Sequence, residues 1–176
     1  MPDADSGAEP QQGGSMGARW PEKFRQHMAG EDCPMCGNDF DATDIGWGLL
    51  VRKGTVSNAY LWRSGIIRGY LVVIFTTRHA AEPTEMTPEE AATFWRETLE
   101  AGRAVERLYR PLKLNYQLLG NSIPHAHFHV IPRRSGDEDP AAGEPLPFAV
   151  LDPPLRQDES TLQADARELR ALLGEC

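Results

Sequence analysis

No stretch of this 176-residue sequence approaches the roughly 18 consecutive apolar residues that a membrane-crossing helix requires, so no transmembrane span and no membrane partner is expected. Basic charge is also scarce. Lys and Arg number 18 against 26 Asp and Glu, a formal net charge of −8. A nucleic-acid partner, normally held by a basic surface that releases counterions, is therefore not expected. A small anionic ligand stays compatible, because one local pocket can be positive on an acidic protein. Cysteines number only three, an odd count that does not suit a secreted disulfide framework. The opening MPDADSGAEPQQGGSMGA lacks a basic region followed by an apolar stretch, so it reads as a disordered leader over residues 1–19, and a cytoplasmic location is expected.

What remains is enough for one domain with a real core. ARWPEKFRQHMAG suggests a short helix starting near Pro21. GWGLLVRKG and TVSNAYLWR read as neighbouring strands around Gly54, and YLVVIFT, residues 70 to 76, as a central strand buried on both faces. Thr87, Pro88 and Glu90 form a capping-box pattern, after which Ala91, Phe94, Thr98, Ala101, Val105 and Leu108 recur at steps of three and four. A long amphipathic helix over 88–109 follows, ending before Pro111. LKLNYQLLG and HAHFHVIPR give two more strands joined around Gly120-Asn121-Ser122, and ESTLQADARELRALLG a closing helix. This order predicts an α+β domain with a mainly antiparallel sheet over residues 20–136, and a Pro-rich, acidic tail with a short helix over 137–176.

Three of the five histidines fall at every second position, His125, His127 and His129. On a strand they share one face, while Ala126, Phe128 and Val130 take the other. Residues two apart on a strand are ~6.6 Å apart, so the outer pair is separated by ~13 Å. A zinc–nitrogen bond of ~2.0 to 2.1 Å cannot span that, so one ion cannot hold all three. The run must divide its labour. Neutral imidazole is a nucleophile near pH 7 and protonated imidazole is a donor to phosphate, so neighbouring histidines suit attack and stabilisation of the leaving oxygen. Asn115, Asn121 and Ser122 add neutral donors for phosphate or ribose oxygens. A lone histidine such as His27 reads instead as an ordinary partly buried residue.

Cys33-Pro34-Met35-Cys36 has the spacing of a metal or redox pair, and two small buried residues are the plainer alternative. No βαβ pattern surrounds it, which disfavours thioredoxin-like redox chemistry. The zinc reading requires two more ligands, for which His79 and His125 are candidates. Cys176 stands outside any such spacing.

The segment Asn115 to Arg133, NYQLLGNSIPHAHFHVIPR, resembles the signature of the histidine triad superfamily, in which three histidines alternate with apolar residues ahead of Pro-Arg. The resemblance runs over roughly residues 31 to 134. It implies a HIT-like fold with a five-stranded, mainly antiparallel sheet, and a homodimer. It also implies that His127 attacks a phosphate to form a covalent nucleotidyl-histidine, that His129 contacts the transferred phosphate and leaving group, and that Ser122, Asn115 and Asn121 bind phosphate or order the loop. Zinc-containing branches imply a structural zinc on Cys33, Cys36, His79 and His125. The chain departs from the family's usual histidine with Tyr70 after Gly69, and it carries AYLWRSGIIRG where ribose-binding residues are common. Arg63 or Arg68 is accordingly expected to favour an anionic leaving group.

Two functions follow. The first is a hydrolase or transferase acting on a nucleoside phosphoramidate or dinucleoside polyphosphate; a phosphorylase is the same chemistry ending on phosphate. The second is a nucleotide-binding or sensor protein that keeps the fold and the zinc with little turnover.

Overall fold

The computed structural model describes residues 20–63, 67–135, 143–144 and 157–174. The leader, most of the Pro-rich segment and Cys176 lie outside the described residues.

Five strands form one antiparallel sheet: β1 (Gly48–Lys53), β2 (Ser57–Trp62), β3 (Leu71–Phe75), β4 (Lys113–Gln117) and β5 (His127–Arg133), in the order β1-β2-β3-β5-β4. The β-branched run settles in β3, the middle strand, with all five residues buried. Antiparallel pairing sets Val72 opposite His129 and Ile74 opposite His127. The strand period then sorts two cores. Leu71, Val73, Phe75, Ala126 and Val130 face the helices, whereas Tyr60, Tyr70, Val72, Ile74 and Ile131 face the other way, under Cys33 and Met35.

Helix α1 (Phe24–Met28) is shorter than the Pro21 start suggests, because residues 22–23 form a turn before it. Helix α2 (Pro88–Tyr109) has the expected limits. The Thr87 hydroxyl accepts from the Glu90 amide (3.2 Å) and the Glu90 carboxylate accepts from the Thr87 amide (2.9 Å), closing the capping box. Phe94, Ala101 and Val105 carry its stripe into the core, and Arg110 ends it in a left-handed conformation.

Helix α3 (Glu159–Leu173) is capped by Asp158 and packs on the same side of the sheet as α2. Leu162, Ala166 and Leu169, spaced by four and three, are fully buried in the core that α2 also covers. Polar contacts fasten it to the strands. Arg170 donates twice to the Leu50 carbonyl (2.7 and 2.9 Å), next to the register shift between Leu50 and Arg52 on β1. Arg68 holds buried Asp165 through two bonds of 2.6 and 2.7 Å, and Arg63 pairs with Glu159. Among the described residues no helix is long and apolar enough to cross a membrane.

Candidate functional site

The histidine run straddles the start of β5. His125 lies just before the strand, and Ala126 ties that point to the loop after β3 by donating to the Ala80 carbonyl (2.7 Å) while accepting from the Phe75 amide (3.1 Å). His125 thereby meets His79 and the Cys33–Cys36 knuckle, while His127 and His129 continue along the sheet.

Cys33, Cys36, His79 and His125 bring one ligand atom each to within 4.8 Å of one another. Cys36 Sγ is 3.5 Å from His79 Nδ1 and 3.4 Å from His125 Nδ1, and Cys33 Sγ is 3.6 Å from His125 Nδ1. A tetrahedral zinc with bonds of ~2.3 Å to sulfur and ~2.05 Å to nitrogen sets S and N about 3.6 Å apart, so the donor set fits the ion. The tautomers fit as well. The Nε2–H of His125 donates to the Phe75 carbonyl (2.7 Å) and that of His79 to the Met28 carbonyl (3.2 Å), which turns both Nδ1 lone pairs toward the sulfurs. Burial and neighbouring Cys33 push the Cys36 thiol up to about 11, so paired thiolates here call for a cation.

His127 and His129 line a pocket of about 440 Å³. Their rings meet edge to face at 4.7 Å. Asn121 and Ser122 come from the loop after Gly120, whose φ of +67° favours glycine. The remaining wall is apolar: Met35, Trp47, Trp62, Val72, Leu119 and Ile123. Two indoles and a thioether suit a flat aromatic group beside a polar end.

Each triad ring has a different partner. The Nδ1–H of His127 donates to the His125 carbonyl (2.5 Å), leaving Nε2 as the lone-pair nitrogen. The Tyr70 hydroxyl lies 2.5 Å from Nδ1 of His129. Burial lowers the affinity of all three rings for a proton, and burial with neighbouring His127 takes His129 down to about 3. All three are neutral imidazoles at pH 7.

Of the residues expected at the site, Cys33, Cys36, His79 and His125 meet in one cluster, and His127, His129, Asn121 and Ser122 line one pocket. Asn115 and Arg68 are elsewhere. Asn115 on β4 accepts from Arg133 (2.6 Å), a contact that braces the two strands. The Arg68 guanidinium is turned to Asp165 on α3 and lies over the Tyr109 ring at 5.8 Å, and it is not among the residues that line the pocket. Met35 and Trp47 were not legible as site residues, whereas Tyr70 stood out in the sequence as the residue in place of the family's usual histidine, without its partner. The strand period from Val72 and Ile74, which pair with His129 and His127, adds that Tyr70 shares the histidine face; nothing local pointed to Trp47.

The HIT domain family matches residues 57–136. Among solved structures, the chain is similar to a histidine triad protein from Bradyrhizobium japonicum (24% identity over 72% of this chain and 91% of that one, TM-score 0.63). It is similar to one from Marinobacter aquaeolei (21% identity, 73% and 90% covered, TM-score 0.65). A zinc-bound histidine triad family protein from Mycobacterium smegmatis also matches (22% identity, 82% and 94% covered, TM-score 0.57). These likenesses show the fold.

Proposed function

Because residues 57–136 match the HIT domain family and the fold is that of histidine triad proteins, we propose that the chain is a histidine triad protein that cleaves a phosphorus–nitrogen or phosphorus–oxygen bond in a nucleotide conjugate, with His127 as the nucleophile. One observation carries the reading. The His127 Nδ1–H is committed to the His125 carbonyl, so a neutral Nε2 lone pair stands in a pocket that also holds Asn121, Ser122 and His129.

In the first step Nε2 of His127 attacks phosphorus, a P–N bond forms, and the bond to the leaving group breaks. The leaving group departs with the electron pair and takes a proton from water. The ring becomes a phosphorylated imidazolium whose Nδ1–H still donates to the His125 carbonyl, a charge-assisted bond that supports the new positive charge. In the second step water attacks phosphorus and gives its proton to solvent, and the P–N electron pair returns to Nε2. Asn121 and Ser122 orient phosphate oxygens without adding charge. The apolar wall with Trp47 and Trp62 suits a nucleobase or another flat group.

Cys33, Cys36, His79 and His125 would hold a structural zinc, a reading supported by the donor geometry and by the zinc-bound relative of M. smegmatis. Bound there, the ion closes four ligands and supplies cross-linking rather than an open coordination position. The knuckle it ties down carries Met35 into the pocket wall.

Turnover of adenosine phosphoramidate is the test. Wild type should release AMP, and His127→Ala should lose about a thousandfold or more in kcat, as expected when a covalent path is removed. Equal rates would reject the assignment. A protein that bound the conjugate and returned it intact would be a sensor instead.

A further inference from the structure

The proposed chemistry needs a donor beside the nucleophile, and His129 serves only if its proton sits on Nε2. We propose that Tyr70 is a positioning residue that donates its hydroxyl to Nδ1 of His129, fixing the proton of that ring on Nε2 as a donor to the phosphoryl group. The donor role rests on the phosphoryl-transfer reading above; the tautomer does not.

The short contact of 2.5 Å permits two arrangements. In one the phenol donates to Nδ1. In the other Nδ1–H donates to the phenol oxygen, and the phenol proton then needs another acceptor. Tyr70 is fully buried, and among the described residues its hydroxyl has no other hydrogen-bond partner. Stranding a buried O–H is unfavourable, so the first arrangement holds. Burial also pushes the phenol up, which keeps it protonated, and His129 is held neutral by burial and by His127. A neutral imidazole that accepts on Nδ1 carries its proton on Nε2.

The phenol is itself held. Its ring stands edge-on to Trp62 at 4.7 Å and 87°, and its carbonyl accepts from the Trp62 amide (2.9 Å). The chain reaches it through Gly69 at φ +87°, where a Cβ would lie 2.5 Å from the Tyr109 ring. Only glycine fits there without displacing that ring, and Tyr70, the residue just before β3, is then turned to the histidine face.

Two imidazoles 4.7 Å apart thus have opposite tautomers: a carbonyl holds His127 as a lone pair on Nε2, and a phenol holds His129 as an N–H on Nε2. The reverse tautomer of His129 would set a lone pair against phosphate oxygens, acceptor against acceptor. No proton passes through Tyr70. The Nε2–H of His129 stays a donor throughout, and only its direction depends on the phenol.

The test is the imidazole ¹⁵N spectrum of the full chain, wild type and Tyr70→Phe, beside kcat and KM for adenosine phosphoramidate in wild-type and His129→Gln backgrounds. Wild type should show His129 protonated on Nε2 alone, and Tyr70→Phe a mixture of tautomers. In the wild-type background Tyr70→Phe should lower kcat about tenfold, the scale of one hydrogen bond, and leave KM nearly unmoved. In the His129→Gln background it should add nothing, because it acts through that ring. A wild-type ring protonated on Nδ1 would overturn the proposal, and that spectrum requires no variant to fold. An equal drop in both backgrounds would overturn it too, by assigning Tyr70 to packing alone. Absence of wild-type turnover with the Nε2 tautomer present would sink the phosphoryl-transfer reading and the donor role, while upholding the Tyr70–His129 hydrogen bond.

Discussion

His129 keeps its imidazole neutral against Tyr70 and His127, with its proton affinity lowered to about 3. An unfolded histidine titrates near 6.5. Between those values the unfolded chain binds a proton that the folded chain refuses, so the stability held above about pH 6.5 is lost as pH falls toward about 3. The expected outcome is a urea midpoint that drops from pH 7.5 to pH 5.5, and drops less in His129→Gln, which lacks the group. Both proteins retain the Cys/His cluster, so its own acid sensitivity is common to the two curves. Identical pH dependence would mean that His129 titrates alike folded and unfolded.

The elements show where sequence reading succeeds. The stripe of α2 and its capping box depend on contacts within three or four residues, and its limits came out as expected. The alternation of HAHFHV also placed His127 and His129 on one face and Phe128 and Val130 on the other. What needed the fold was contact over long separations. Arg68 has no local signal for a partner 97 residues away, and its proximity to the site in sequence suggested a ligand. In space it bonds Asp165 on α3, with the carboxylate 5% exposed and the guanidinium 55%. Arg68→Ala should therefore cost stability, about 1–2 kcal/mol given how exposed the cation is, by leaving a buried carboxylate without its cation beside Gln157. Thermal unfolding checks this, and kcat/KM should match wild type. A raised KM with unchanged stability would return Arg68 to the substrate.

At the scale of the molecule, the sheet carries a helical core on one face and the functional groups on the other. The four metal-site residues come from three places in the chain, the Cys33–Cys36 knuckle, His79 after β3 and His125 before β5, so a bound ion would cross-link segments up to about 90 residues apart. Elemental analysis should find one zinc per chain, and chelation or Cys33→Ser should lower the melting temperature by several degrees. Because Met35 stands between the two cysteines and lines the pocket, ligand affinity should fall with it. Full stability without metal would reject the site. Trp47 and the Tyr70–His129 contact belong to this scale as well, since only the assembled face brings these side chains to the histidines.

The central claim is that His127 is the atom donor to phosphorus. Intact-protein mass spectrometry after rapid quenching with adenosine phosphoramidate tests it most directly, on wild type and on His127→Ala. The account predicts a transient nucleotidyl adduct on wild type that is missing from the variant. Turnover by wild type with no adduct at any quench time, or the same adduct on both proteins, would contradict it.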